Sequence, residues 1–213
     1  MYGRNKKEKM IETLHLAPSK FYHIYNRGNN RENIFIEEKN YDYFLRLWDK
    51  HISPVADTYA YCLLKNHFHV LVMMKTFPQE LHKDVSLKPE ARSLWQRAFS
   101  NFFNAYSKSI NKAYNRTGKL FEERFKRKEV LSDSYFTQLI YYIHANPQRH
   151  GFVDDFRGYP HSSYNFFLNP ENDSPVYHKV LSWFGGVELY EKYHSDLHLQ
   201  LKKEREFAFD DVD

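Results

Sequence analysis

The sequence predicts an α+β fold: an antiparallel sheet with helices on one face, in a split βαβ arrangement, followed by a C-terminal tail. Three observations predict it. Runs of strand formers and stretches of helical period follow one another in the order strand, helix, hairpin, helix, strand, helix. Of the 213 residues, 42% are hydrophobic and 18% aromatic, enough for a sizeable core. No internal repeat or low-complexity segment interrupts the pattern.

Residues 1–20, with Arg4, Lys6, Lys7 and Lys9 and little periodicity before Leu14, read as a basic arm. Phe21–Arg27 is rich in strand formers and stops at the turn cluster Gly28-Asn29-Asn30, which makes it the first strand. Over 39–51, Tyr43, Phe44, Leu47 and Trp48 recur at helical spacing ahead of Pro54, predicting an amphipathic helix. Residues 58–64 and 67–74 are strand-like runs joined by Lys65-Asn66, a tight hairpin turn because Asn tolerates left-handed geometry. Residues 76–89 lack a period and hold Pro78 and Pro89, so they read as a connecting loop. Leu94, Ala98, Phe102, Ala105, Tyr106 and Ile110 form the stripe of a long helix over 90–114, broken by Thr117-Gly118. Residues 121–130 read as a strand, after which Asp133 caps a helix over 134–146 that Pro147 closes. Pro160, Pro170 and Pro175 then punctuate short pieces before a last helix over 187–203. The expected organisation is a basic arm (1–20), a domain carrying the chemistry (21–155) and an acidic extension packing on or covering it (156–213).

Composition bounds the function. There is no run of about 18 apolar residues and no charged-then-apolar start, so a cytoplasmic protein without a membrane span is expected. Cys62 is the only cysteine, which excludes an intrachain disulfide and a cysteine metal cage, so any metal needs His, Asn, Gln or carboxylate ligands. The net charge of +4 hides an asymmetry: residues 1–150 sum to +10 and residues 151–213 to −6. The basic part is the candidate polyanion-facing part. Within it, Arg116, Lys119, Arg124, Lys126, Arg127 and Lys128 are interleaved with Phe121 and Phe125, the composition of a surface that tracks phosphates and stacks bases. A solvated strand face would have the same composition.

Two constellations carry chemistry. In His67-Phe68-His69, at the start of a strand, residues i and i+2 point to one face and present two imidazoles side by side, a spacing that suits one divalent cation. In a chain with twelve histidines, such a pair also arises without a ligand role. In Tyr141-Tyr142-Ile143-His144-Ala145-Asn146-Pro147, Tyr142 and Asn146 stand at i and i+4, about 6 Å apart along one helix face. A phenol is a competent covalent nucleophile, and an amide oxygen one turn away can complete a metal site. Taken alone, the segment also reads as aromatic core ending at an Asn-Pro helix stop.

Together, His-hydrophobe-His and the later Tyr-x-x-x-Asn helix resemble the single-tyrosine HUH transposases, in particular the REP-associated tyrosine transposases. Further matches are Tyr25-Asn26-Arg27-Gly28-Asn29-Asn30-Arg31, Gly118-Lys119-Leu120-Phe121-Glu122-Glu123-Arg124-Phe125, Asn146-Pro147-Gln148-Arg149-His150-Gly151-Phe152-Val153 and Tyr159-Pro160-His161-Ser162-Ser163-Tyr164, spanning roughly residues 20–165. The resemblance implies a ferredoxin-like sheet of the HUH-endonuclease type. It implies His67, His69 and Asn146 as ligands of Mg²⁺ or Mn²⁺, although the wider family often has Gln in the place of Asn146. It implies Tyr142 as the nucleophile that takes a 5′-phosphate, with neighbouring Tyr141 turned about 100° away. The implied partner is single-stranded or hairpin DNA, contacted by the Arg116 to Lys128 stretch and by Arg27, Asn29 and Arg31. A homodimer with exchanged tyrosine helices and a monomer both occur among such enzymes.

Two rival readings carry their own tests. A domesticated, catalytically silent relative would bind hairpin DNA without cutting it, and a metal-dependent hydrolase using activated water would survive Tyr142→Phe. A cytosine deaminase is a poor reading, because no His-x-Glu is paired with Pro-Cys-x-x-Cys. No helix-turn-helix signature is evident.

Overall fold

Four strands, β1 (Phe21–Arg27), β2 (Ala56–Leu64), β3 (His67–Met74) and β4 (Lys126–Val130), pair antiparallel in the order β2-β3-β1-β4. The computed structural model describes residues 15–77, 94–122 and 124–204, and within them five α-helices: α1 (Glu38–His51), α2 (Leu94–Ala113), α3 (Asp133–Arg149), α4 (Pro175–Phe184) and α5 (Val187–Glu204). The charged part of the expected arm and most of the 76–89 connection lie outside these residues. The sheet order places β3 between β1 and β2, the split βαβ arrangement expected for an α+β protein.

The expectation of helices on one face is corrected. On one face, Tyr22, Ile24, Phe68, Val70 and Val72 pack against Phe44 and Trp48 of α1 and Phe99, Phe102 and Tyr106 of α2. On the other, Cys62, Leu64 and Leu71 pack against Phe136, Leu139, Ile140 and Ile143 of α3, with Phe156, Tyr164, Phe167, Val180 and Tyr190 from the C-terminal part beside them. The cause is β3, whose side chains are buried on both faces save for a half-buried Met73. A strand this apolar needs cover on both sides. A bulge in β2 between Thr58 and Ala60 lets Tyr59 and Ala60 both join the α3-side cluster.

The outer edge of β2 is covered by the C-terminal part. Leu63 N–H donates to His161 O at 2.9 Å, Ser163 N–H donates to Tyr61 O at 3.0 Å, and Tyr159 Oη donates to Leu63 O at 2.8 Å. These bonds occupy backbone groups that an exposed edge strand would offer to another chain.

Local corrections have local causes. The cap of α3 is Ser132, whose side chain accepts from Tyr135 N–H, one residue before the expected Asp133. Pro147 does not close α3; it sits inside the last turn, and the helix runs on to Arg149. A proline there removes a single N–H near the helix end, and His150 N–H still donates to Asn146 O at 3.0 Å. The Lys65-Asn66 turn forms without a positive φ at either residue. Its carbonyls are instead tied to the chain after β1: Lys65 O accepts from Ile34 and Phe35 N–H, and Asn66 O accepts from Gly28 N–H. Gly28 is required there, because a Cβ would lie 1.9 Å from Glu32 O. Where the prolines predict only short pieces, α4 forms: Ser174 caps it, Pro175 opens it, and left-handed Gly185 ends it.

Candidate active site

Strands β1 and β3 and helix α3 bring the candidate residues together on the α3 face of the sheet. In the β1–β3 register Arg27 stands opposite His67, Tyr25 opposite His69 and His23 opposite Leu71, so these side chains share one face. The rings of His67 and His69 have centroids 5.3 Å apart and lie nearly perpendicular. Helix α3 passes over them, with Tyr142 edge-on to His69 at 5.6 Å and to His23 at 6.1 Å. The continuation of the chain past Pro147, through Arg149 to the C-cap His150, matters here. The Arg149 guanidinium lies 5.2 Å from the Tyr142 ring centroid, and the His150 ring is 4.8 Å from that of His67.

Each candidate ligand is held by a second hydrogen bond that leaves one atom facing the cleft. His67 Nδ1 meets Asn66 Oδ1 at 2.7 Å, and His69 Nδ1 meets His23 Nε2 at 2.9 Å. Asn146 Nδ2 donates to Tyr142 O at 2.9 Å, which leaves its Oδ1 without a donor. What remains is His67 Nε2, His69 Nε2 and Asn146 Oδ1, all buried and all without a hydrogen-bond partner. Asn146 lies close enough to His67 to favour its charged form slightly, but with Nδ1–H given to Asn66 the two facing atoms are both acceptors and form no bond.

Burial keeps the imidazoles neutral. It pulls His67 down to about 3, helped by His150 and Arg27, and pulls His23 down to about 3, helped by Lys128. His69 is held well below the usual range by burial and by His23, His67, His150 and Arg149 around it. A neutral imidazole is the form that ligates a metal. Among the described residues no three or more His, Cys, Asp or Glu side chains converge as a metal cage.

Tyr141 faces away from this cleft, with its Oη 3.1 Å from His198 Nδ1 on α5 and its pKa pushed up to about 12 by burial. The basic stretch is not one surface. Pleating of β4 sets Lys126 and Lys128 on the histidine face, 5.9 Å from the Tyr25 ring and 5.6 Å from the Tyr135 ring. Arg127 points to the opposite face, and with Arg124, Lys119 and Phe125 it lines a groove of about 820 Å³ against α2. Arg116 is paired with Glu32, and Arg27 is buried with its Nε 3.9 Å from Glu122. Asn29 and Arg31 belong to a short 3₁₀ turn (Asn29–Arg31) at the His67 end of the sheet, where Asn29 N–H donates to Leu120 O. His23, Asn66 and His150 also reach this site, although no motif in the sequence marks the two histidines and Asn66 is a turn residue there; the β1–β3 register is the signal that points to His23.

No family model and no curated protein matches this chain. Among solved structures it is similar to a REP-associated tyrosine transposase bound to a REP hairpin, with a TM-score of 0.52 and 14% sequence identity, over 76% of this chain and 87% of that one. The fold is shared. At that identity the likeness speaks for the architecture, a four-stranded antiparallel sheet with helices. Among the described residues, no helix is long and apolar enough to cross a membrane.

Proposed function

We propose that the protein is a transposase-like DNA strand transferase of the single-tyrosine HUH kind, related to the REP-associated tyrosine transposases and acting on single-stranded or hairpin DNA. The observation that carries this reading is the convergence of Tyr142 with three buried, unpartnered donor atoms, His67 Nε2, His69 Nε2 and Asn146 Oδ1. Buried polar atoms without partners are costly and are retained where they have a task. Two imidazole nitrogens and an amide oxygen suit a divalent ion, and of Mg²⁺ and Mn²⁺ the imidazoles accept Mn²⁺ more readily. When bound, such an ion supplies Lewis-acid polarisation of a phosphate and a template for its orientation.

The chain's own residues do the rest. The Tyr142 phenol oxygen forms a bond to phosphorus, the bond from phosphorus to the 3′-oxygen breaks, and that oxygen leaves as a hydroxyl, one proton being lost by the phenol and one gained by the leaving group. A 5′-phosphotyrosine remains. One phosphodiester replaces another, so a DNA 3′-hydroxyl reverses the step and joins a new strand without ATP. Arg149 sets positive charge beside the tyrosine ring, where negative charge develops. Lys126 and Lys128 line the same face and suit the phosphates of an incoming single strand. Within one chain Tyr142 lies over its own histidines, an arrangement that supports attack in cis.

The test is a denaturing gel for a covalent protein–DNA adduct, with labelled single-stranded hairpin DNA from the gene's own flanks, with and without Mn²⁺ or Mg²⁺. An adduct that requires metal and is lost in Tyr142→Phe and His67→Ala is expected. Cleavage that survives Tyr142→Phe would overturn the covalent mechanism in favour of activated water. The domesticated, catalytically silent hairpin-binding reading draws on one observation, the 2% exposure of Tyr142. It predicts tight hairpin binding with neither adduct nor cleavage.

A further inference from the structure

We propose that His23 is the positioning residue of the histidine pair, accepting the Nδ1–H of His69 on its Nε2 and so leaving His69 Nε2 as a bare lone pair aimed at a divalent cation. The inference rests on the reading of the cleft as a metal site and assigns a task to a histidine outside the His-x-His motif.

Two facing imidazole nitrogens 2.9 Å apart must be one donor and one acceptor. If His23 Nε2 carried the hydrogen, neutral His69 would have to carry its own on Nε2, where no acceptor stands within hydrogen-bond distance. A buried N–H without an acceptor is rare in folded proteins. The other arrangement leaves a lone pair in the cleft, which is what a metal ligand requires. His67 follows the same plan, since Asn66 Oδ1 is an acceptor 2.7 Å from its Nδ1.

The sheet enforces the geometry. His23 and His69 are diagonal neighbours on one face of the β1–β3 pair, with rings nearly parallel and centroids 5.1 Å apart. Tyr25 stacks on His69 at 5.6 Å and Tyr142 closes the remaining side edge-on, so the His69 ring has little room to turn. The groups facing His23 are His69 and Tyr25 from the sheet, Tyr142 from α3 and Lys128 from β4; none of them is a carboxylate.

The test titrates Mn²⁺ alone into the full chain by calorimetry, without DNA, for wild type, His23→Phe and His23→Gln. Phenylalanine keeps the ring shape and removes the acceptor; glutamine restores an acceptor oxygen. Mn²⁺ binding weakened about 10- to 100-fold in His23→Phe and largely recovered in His23→Gln is expected. Equal affinity in wild type and His23→Phe would overturn the role of His23 while leaving the metal site intact. Wild type that binds no Mn²⁺ would overturn the metal site itself. Should His23→Phe fail to fold, ¹⁵N imidazole spectra of the wild type decide: His69 protonated on Nδ1 supports the proposal, and His69 protonated on Nε2 overturns it.

Discussion

Asn146 shows what the site costs at the scale of a residue. Its Nδ2 is spent on the Tyr142 carbonyl of its own helix and its buried Oδ1 is left without a donor. Removing the side chain forfeits one hydrogen bond, worth about 1 kcal/mol, and relieves an unsatisfied acceptor worth about 1–3 kcal/mol. Asn146→Leu is therefore expected to be as stable as wild type in urea unfolding with EDTA, or more so by about 1 kcal/mol, while adduct formation is lost. A clear loss of stability would mean that the carboxamide serves the fold. Legibility divides the site in the same way. His67, His69, Tyr142 and Asn146 could be placed from spacings of two and four, because strand and helix periods alone assign them to faces. His23, Asn66, Arg149 and His150 reach the site through strand register, turn geometry or a helix that continues past a proline, none of which a single sequence states.

At the scale of elements, α3 is tied to α5 and to the covered edge of β2 by a buried hydrogen-bond chain. Tyr61 N–H donates to Ser163 Oγ at 2.9 Å, and Ser163 Oγ lies 2.8 Å from His144 Nε2. His144 Nδ1 lies 3.0 Å from His194 Nε2, and His194 Nδ1 donates to Tyr190 O at 2.8 Å. Two neutral imidazoles satisfy this chain when Ser163 Oγ–H donates to His144 Nε2 and His144 Nδ1–H donates to His194 Nε2. Burial agrees, lowering His194 from 6.5 to about 4 and His144 well below its usual value. A lowered folded-state pKa means that the unfolded chain binds more protons between about pH 6.5 and 4, so stability is fully present above that window and falls as pH falls through it. Each such histidine adds up to about 1.4 kcal/mol per pH unit to the slope. His194→Gln is expected to flatten the dependence of unfolding free energy on pH by up to that amount, measured by urea titration between pH 5 and 7. An unchanged slope would show that His194 is protonated alike in both states. These elements were unevenly legible. β1 and the hairpin could be read closely from runs of strand formers, but the unbroken apolar run of β3 was already the mark of two-sided burial, and α4 was hidden by its proline, which opens a helix as readily as it ends one.

At the scale of the whole molecule, charge and sheet geometry together bear on how DNA would approach in the proposed function. The +10 of residues 1–150 suggested one basic surface, but β4 is an edge strand whose alternate residues face opposite ways. Lys126 and Lys128 look toward Tyr142, and Arg124 and Arg127 toward the groove beside α2. In the proposed reaction a single strand held for attack by Tyr142 would lie on the first face, with its phosphates beside the lysines. Replacing both lysines with alanine is expected to reduce the dependence of log affinity on log salt by about 1.4 for a hairpin-free single strand, since each phosphate contact releases about 0.7 counterion. Arg124→Ala with Arg127→Ala is expected to leave that slope unchanged on the same DNA. An equal reduction in both double variants would require the strand to cross the β4 edge, and the two faces would then form one continuous track. The folding logic favours the first outcome, because a short strand paired only to β1 on one side sets its two faces a full sheet thickness apart, too far for adjacent phosphates to be shared.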